Sequence, residues 1–268
     1  MAVAGPLRRL QARILAQARR PPPADAVSLV IARQACGSLA PAVAALLARE
    51  LDGFSLSDGF LELLDAGLGP DQRAVRLRRV AELLRDRGLA GAWRNEDLDI
   101  RAEPDTPPLA WIDRCAVRVL GITTYSVHLN AFTAGGDLVV ALRAAHKRVD
   151  PGLWDNLAGG MIASGESVGL ALAREAFEEA GVRLEDMPVR EGARISVRRP
   201  IPEGTLAELV HVHDVDLPAT ANIANQDGEV ERFETRPVAA VVAGIERGEF
   251  TVEAALATLD ALLRRGHE

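Results

Sequence analysis

The amino-acid sequence predicts an α+β fold in two parts, a smaller α/β domain over residues 1–108 and a larger domain over residues 109–268. Three observations lead there. Before residue 100, helical periodicities alternate with short apolar runs. Residues 101–108 hold Pro104, Pro107 and Pro108 without apolar periodicity, so they read as a linker or long loop. Beyond them come two strand-like runs, a glycine-rich loop, a long helical stretch, a further strand and a C-terminal helix.

Each element has a local reason. Leu7, Leu10, Ile14 and Leu15 recur at helical spacing until Pro21-Pro22-Pro23 ends the run. The basic N-terminus therefore reads as an amphipathic first helix rather than a transit peptide. Residues 27–32 are a short apolar run, and residues 41–50 and 70–87 are helical. Residues 127–133 and 138–142 are strands joined by Ala134-Gly135-Gly136-Asp137, a hairpin signal. A loop over 145–160 follows. Residues 167–180 lack proline and are rich in Ala, Leu and Glu, so they form a helix that Gly181 ends. Leu170, Ala173, Phe177 and Ala180 share the stripe expected to face the core. Residues 206–215 make another strand and 238–242 a further short one. Thr251 caps a last helix to residue 265, with Leu256, Leu259, Leu262 and Leu263 inward.

Composition excludes several classes of function. The net charge of −7 leaves no basic footprint for broad nucleic-acid binding. No apolar stretch approaches the ~20 residues of a membrane span. Cys36 and Cys115 are the only cysteines, and they suit neither a disulfide framework nor a zinc spacing, so a reducing, cytoplasmic location is expected.

The most informative stretch is 160–182, where Gly160, Glu166, Arg174, Glu175, Glu178, Glu179 and Gly181 stand at fixed spacing. Chance would supply that set about once in 10⁸ start positions at ordinary residue frequencies. On a helix, Glu175, Glu178 and Glu179 fall at i, i+3 and i+4, roughly 5–6 Å apart. Such carboxylates repel by a few kcal/mol per pair at an effective dielectric of about 20, and the C-terminal end of a helix disfavours negative charge. A divalent cation would neutralise the cluster, and Ala158-Gly159-Gly160 lets backbone approach a ligand closely. Magnesium, with manganese as the alternative, suits an all-oxygen donor set.

This segment resembles the Nudix box, the signature of hydrolases acting on diphosphates linked to another group. Every fixed position is filled; the two bulky aliphatic positions carry Val182 and Ala176, the latter smaller than usual. A wider similarity runs through Arg94-Asn95-Glu96, residues 121–132, residues 146–156 and Asp227-Gly228-Glu229-Val230-Glu231. Together these resemble the Nudix branch related to the domain fused to fungal thiamine pyrophosphokinase, whose members carry an N-terminal domain of unknown function. The resemblance implies a Nudix fold, a mixed sheet between helices. It implies magnesium-dependent cleavage of a small-molecule diphosphate to a monophosphate, with thiamine diphosphate or its oxidised and damaged analogues as leading substrates. Nucleoside diphosphate derivatives such as ADP-ribose come second. It also implies that Gly160 offers its carbonyl to the metal and that Arg174 orients the catalytic carboxylates.

Glu175, Glu178 and Glu179 are metal ligands by geometry and by resemblance alike, with Glu178 and Glu179 also placed in catalysis. Arg174 can pair with Glu178, and Glu166 reads as its support or as a cap. Glu229 and Glu231 point the same way if extended; either could be the base, with Glu229 preferred because it follows a turn. Lys147 and Arg148, beside His146, are candidate anchors for phosphate oxygens. Trp154 reads either as core or as a stacking face for a heterocycle, and His128 as a core or a substrate-contacting histidine. His211 and His213 lack a third nitrogen or sulfur ligand and read as an ordinary strand. Two rivals remain: a diphosphate isomerase, which needs a pocket cysteine, and a non-catalytic sensor.

Overall fold

Apolar alternation in the N-terminal part builds a four-stranded sheet. A computed structural model describes residues 5–147, 149–185 and 187–267. After helix α1 (Pro6–Ala18) come β1 (Val27–Ile31), β2 (Gln34–Leu39), α2 (Pro41–Glu50), β3 (Phe54–Ser57), β4 (Phe60–Leu63) and α3 (Pro70–Asp86). The strands lie in the order β2-β1-β4-β3, with β1 and β4 parallel. Val27, Leu29 and Ile31 alternate inward along β1 and meet Leu77, Val80 and Leu84 of α3 in one core. The proline-rich stretch is the loop of a hairpin between β5 (Asp97–Ile100) and β6 (Ala110–Asp113). Leu98, Ile100, Ala110 and Ile112 belong to the same core, as does Met161 from far along the chain.

A short helix, α4 (Val117–Leu120), leads into a seven-stranded sheet. Its strands are β7 (Thr123–Phe132), β8 (Leu138–Arg143), β9 (Trp154–Asp155), β10 (Ala158–Met161), β11 (Arg190–Ile201), β12 (Gly204–Asp216) and β13 (Val230–Arg236). The main path is β11-β12-β7-β8-β13, with β10 on β7 and β9 on β8. β12 runs parallel to β7 whereas the other pairs are antiparallel, so the sheet is mixed. Period-two alternation along β7 divides its side chains between two layers. Val127, Leu129 and Ala131 pack with α5 (Val168–Ala180). Asn130 and Phe132 face α7 (Val252–Arg264), Phe132 within a core shared with α6 (Val238–Glu246) and α1. The sheet thus lies between helices, as expected.

Two expectations are corrected. Residues 238–242 are helical, not a strand. A short apolar run does not reveal its own period; here the turn continues to Glu246, and Val241 and Ile245, four apart, are the buried pair. The buried face of α5 also differs from the predicted stripe. Leu170 and Phe177 are 65% and 41% exposed, while Ala171, Leu172, Ala176, Glu179 and Ala180 are buried. Close approach to β10 and β7 favours alanines over bulk, and the two large apolar residues are displaced to the outside.

Candidate active site

The chemistry-bearing side chains gather where β10 meets α5. β10 lies antiparallel on β7, with Gly159 opposite His128 and Gly160 opposite Val127. This brings the backbone so close to α5 that a Cβ on Gly160 would stand 2.0 Å from Glu175 Oε1. Glycine at 160 is what leaves room for that carboxylate. The helix itself is bounded as its sequence requires. Ser167 Oγ accepts the Leu170 N–H at 3.3 Å, and Gly181 closes the last turn at φ 67°.

Arg174 ties the carboxylates together. Its Nε and Nη2 donate to the two Glu166 oxygens, each at 2.9 Å. Nη1 reaches Glu175 Oε1 at 2.7 Å and Glu178 Oε2 at 3.1 Å. Nη2 also donates to the Met161 carbonyl at 3.0 Å. All five guanidinium donors are thereby used. The Glu166 carboxyl, bound by this fork and by the Ala163 N–H at 3.1 Å, is held below its ordinary range.

Burial sets the electrostatics. Glu179 is 6% exposed, and its Oε2 accepts the Gly159 N–H at 2.9 Å. Desolvation pushes its carboxyl well up, against the pull of Lys147, whose Nζ lies 3.9 Å from Oε1. Desolvation raises the Glu175 carboxyl too, despite Arg174. Glu178 is half exposed on the same side. Lys147 also donates to Glu229. Burial works to raise the Glu229 carboxyl, but the Lys147 hydrogen bond and charge outweigh it and hold it low. Glu231 is exposed and pairs instead with Arg232 at 3.2 Å.

The donor chemistry fits a hard cation. Desolvation raises the Glu175 and Glu179 carboxyls even with Arg174 and Lys147 beside them, and a divalent ion would supply further positive charge. Among the described residues, no three Asp, Glu, His or Cys groups stand together as a metal-binding set. A cation here would complete its shell with water or ligand oxygens, as magnesium commonly does.

The sequence matches the NUDIX domain over residues 124–254 and the domain of unknown function DUF4743 over residues 14–124. The chain carries a Nudix domain. It is 30% identical over 215 residues to Nudix hydrolase 20, chloroplastic, of Arabidopsis thaliana, covering 78% of this chain and 57% of that protein. Nudix hydrolase 24, chloroplastic, of the same plant is 28% identical over 203 residues, covering 74% and 55%. This chain therefore spans little more than half the length of either. Among solved structures, the crystal structure of DR0079 from Deinococcus radiodurans superposes with a TM-score of 0.50 at 27% identity, covering 65% of this chain and 100% of that one.

The Nudix glutamates open onto a cleft of about 610 Å³. Gly160, Arg174, Glu175, Glu178, Glu229, Lys147 and His128 all line it. His128 Nδ1 is engaged at 2.8 Å by Asn156 Oδ1, so the ring is both braced from behind and open to the cleft. Arg148 lies outside the described residues. Trp154 is a correction: it is 6% exposed and packs in the core beneath Arg236, whose guanidinium carbon sits 3.7 Å from the ring centroid. Its ring face is occupied, so it offers no stacking surface to a ligand.

The cleft also holds residues that sequence reasoning missed. Arg94 enters it from ahead of β5, Arg114 from just after β6, Arg118 from α4 and Arg143 from β8. Arg114 pairs with Glu96 at 2.8 Å and Arg143 with Asp155 at 2.9 Å. Arg118 is half-buried, and desolvation lowers its pKa. Each is a single arginine in an ordinary context, and only the fold brings them into one cleft with Glu175 and Glu178. Arg94 alone had a signal, since it falls in a segment with family similarity.

Proposed function

We propose that this chain is a metal-dependent Nudix pyrophosphohydrolase that cleaves a small-molecule diphosphate to a monophosphate. One observation carries the reading. Glu166, Glu175 and Glu178 share one arginine, and Glu175 and Glu178 line a cleft into which Lys147 and four further arginines also project. Such an arrangement suits a ligand that brings phosphate oxygens and a cation together. Glu175, Glu178, Glu179 and the Gly160 carbonyl would hold magnesium, or manganese in its place. Bound there, the ion would polarise phosphoryl oxygens and lower the pKa of water.

The protein's own side chains define the rest. Lys147, Arg94, Arg114 and Arg143 neutralise the diphosphate and set its direction in the cleft. Arg174 and Glu166 fix the carboxylates, so little reorganisation is needed as the phosphorus is attacked. Glu229, held ionised by Lys147, takes a proton from the attacking water. The water oxygen bonds to phosphorus while the bond from phosphorus to the bridging oxygen breaks. A terminal diphosphate gives the monophosphate and inorganic phosphate, and a diphosphate substituted at both ends gives two monophosphates.

Among substrates, thiamine diphosphate and its oxidised or damaged analogues lead, on the similarity across residues 121–132 and 146–156. Nucleoside diphosphate derivatives follow. A diphosphate isomerase is disfavoured: Cys115 is not among the residues lining the cleft, and burial together with Asp113 pushes its thiol up to about 12. A sensor is disfavoured by the retained carboxylates. Among the described residues no helix is long and apolar enough to cross a membrane, and with Cys36 and Cys115 both free we favour the cytoplasm.

The test is a panel of diphosphates with Mg²⁺, with released phosphate read after phosphatase coupling, run on the wild type and Glu178→Gln. The substitution keeps shape and removes one ligand charge. Nearly all turnover should vanish with the fold intact. Equal Mg²⁺ affinity and equal kcat in the variant would sink the reading.

A further inference from the structure

The same cleft is lined by a second pair of acids that the hydrolytic chemistry does not use. Glu208 comes from β12 and Glu253 from the first turn of α7; both line the cleft and both are 8% exposed. Ser126 Oγ donates to Glu208 Oε1 at 2.5 Å. Ser126 stands opposite Met161 in the β7–β10 register, one pair along from Gly160. The acid pair therefore adjoins the glycine strand. Glu253 Oε1 is buried yet has no hydrogen-bond partner. The cation facing it, Arg199, is 4.0 Å away, and Arg199 Nε is likewise unpartnered. A buried acceptor without a donor is rare in a folded protein.

We propose that Glu208 and Glu253 form a head-group subsite, which grips the organic part of the substrate through N–H donors of an amino-substituted nitrogen heterocycle. This rests on the diphosphatase reading above. The charge layout gives the direction. The acid pair repels a diphosphate, so the phosphates lie toward Lys147, Arg114 and Arg143, the cations around Glu229, and the opposite end of the ligand lies over the acids. Arg118, also on the cleft wall, and Arg199 stand beside the acids, which disfavours a second bare metal ion and suits a neutral donor. Burial and the Glu208 charge push the Glu253 carboxyl up to about 7. Near neutral pH the pair can therefore accept an N–H and also donate to a ring nitrogen. A site built around unpaired polar groups discriminates strongly against ligands that leave them unpaired.

Two measurements on the full chain test it. Without metal, ligand-observed NMR should show wild-type protein binding 4-aminopyrimidine in preference to pyrimidine, and Glu253→Gln should erase that preference. With Mg²⁺, kcat/KM should be compared for thiamine diphosphate and ADP against geranyl diphosphate, which has no N–H. The ratio of amino-bearing to donor-free substrate should fall by about 10- to 100-fold in Glu253→Gln, the range expected for one hydrogen bond to a charged or shared-proton acceptor. A Glu253→Gln protein with the wild-type melting curve and an unchanged ratio overturns the subsite. So does a wild type that binds the two pyrimidines equally, which would leave Glu253 and Arg199 as a water-bridged ion pair. Should Glu253→Gln fail to fold, the wild-type comparison of pyrimidines still decides. Failure of the hydrolase reading looks different: Glu178→Gln would then turn over as wild type does.

Discussion

Replacing Gly160 by alanine is the sharpest test of how the glycine strand and α5 fit together. The added Cβ would stand 2.0 Å from Glu175 Oε1 and 2.1 Å from its Cδ, far inside contact distance. Either β10 retreats from β7 or the carboxylate swings away. Swinging breaks the 2.7 Å bond from Arg174 and turns a buried acid loose in the cleft. Overfilling a packed site of this kind costs about 1–3 kcal/mol. For a chain of this size each kcal/mol lowers Tm by roughly 2–4 °C. The displaced carboxylate also loses a charge-assisted hydrogen bond worth about 1.5–3 kcal/mol, so a kcat loss of roughly 10- to 150-fold follows if that bond serves the transition state. Gly159→Ala is the control: its Cβ would meet the His128 ring at 3.2 Å, a contact that a small ring shift relieves. Thermal melts and Mg²⁺-dependent turnover on both variants decide it. A Gly160→Ala protein with wild-type Tm and kcat would refute the placement of Glu175 against the glycine strand.

Other expectations are briefer. Glu229→Gln should lower kcat more than it weakens Mg²⁺ binding, while Glu231→Gln should do little; wild-type rates in both would remove Glu229 from the reaction. Trp154→Ala should cost about 3–5 kcal/mol of stability, as buried aromatic truncations do, and a variant that keeps its Tm but raises KM would restore the stacking reading. The buried Glu179 carboxyl, raised from 4.5 by desolvation, contributes stability that is fully present below that unfolded value and is lost as pH rises through the higher folded one. Chelator-treated wild type should therefore lose Tm with rising pH relative to Glu179→Gln, and Mg²⁺ should shrink the difference; parallel curves in chelator would show the carboxyl is not perturbed.

Local chemistry explains what was legible in the sequence. The box helix announced itself through its proline-free, Ala-, Leu- and Glu-rich run and Gly181, and the last helix through Thr251, whose Oγ1 accepts the Ala254 N–H at 3.2 Å. The spacing of Glu175, Glu178 and Glu179 told which carboxylates share a helix, and the structure places Glu175 and Glu178 on the cleft wall, with Glu179 buried behind Gly159. Helix orientation was less readable, because apolarity marks a core face only when the neighbour leaves room for bulk. Strands β11 and β13 escaped notice since they carry charge: β13 reads Val-Glu-Arg-Phe-Glu-Thr-Arg and has mostly exposed or half-buried side chains. The arginine wall was invisible for another reason. Its members share no periodicity with the glutamates and meet them only through tertiary folding.

Met161 gives the N-terminal half a hold on the cleft. Its side chain belongs to the core built from β1, β4 and α3, while its carbonyl accepts a bond from Arg174, which in turn fixes three glutamates. A loosening of that distant core would travel along one residue and one guanidinium to the carboxylates. Loss of the carboxylate geometry and loss of order in the four-stranded sheet are thus one event. Inactivation on heating should keep step with melting of the four-stranded sheet and α3, even while the larger sheet still stands.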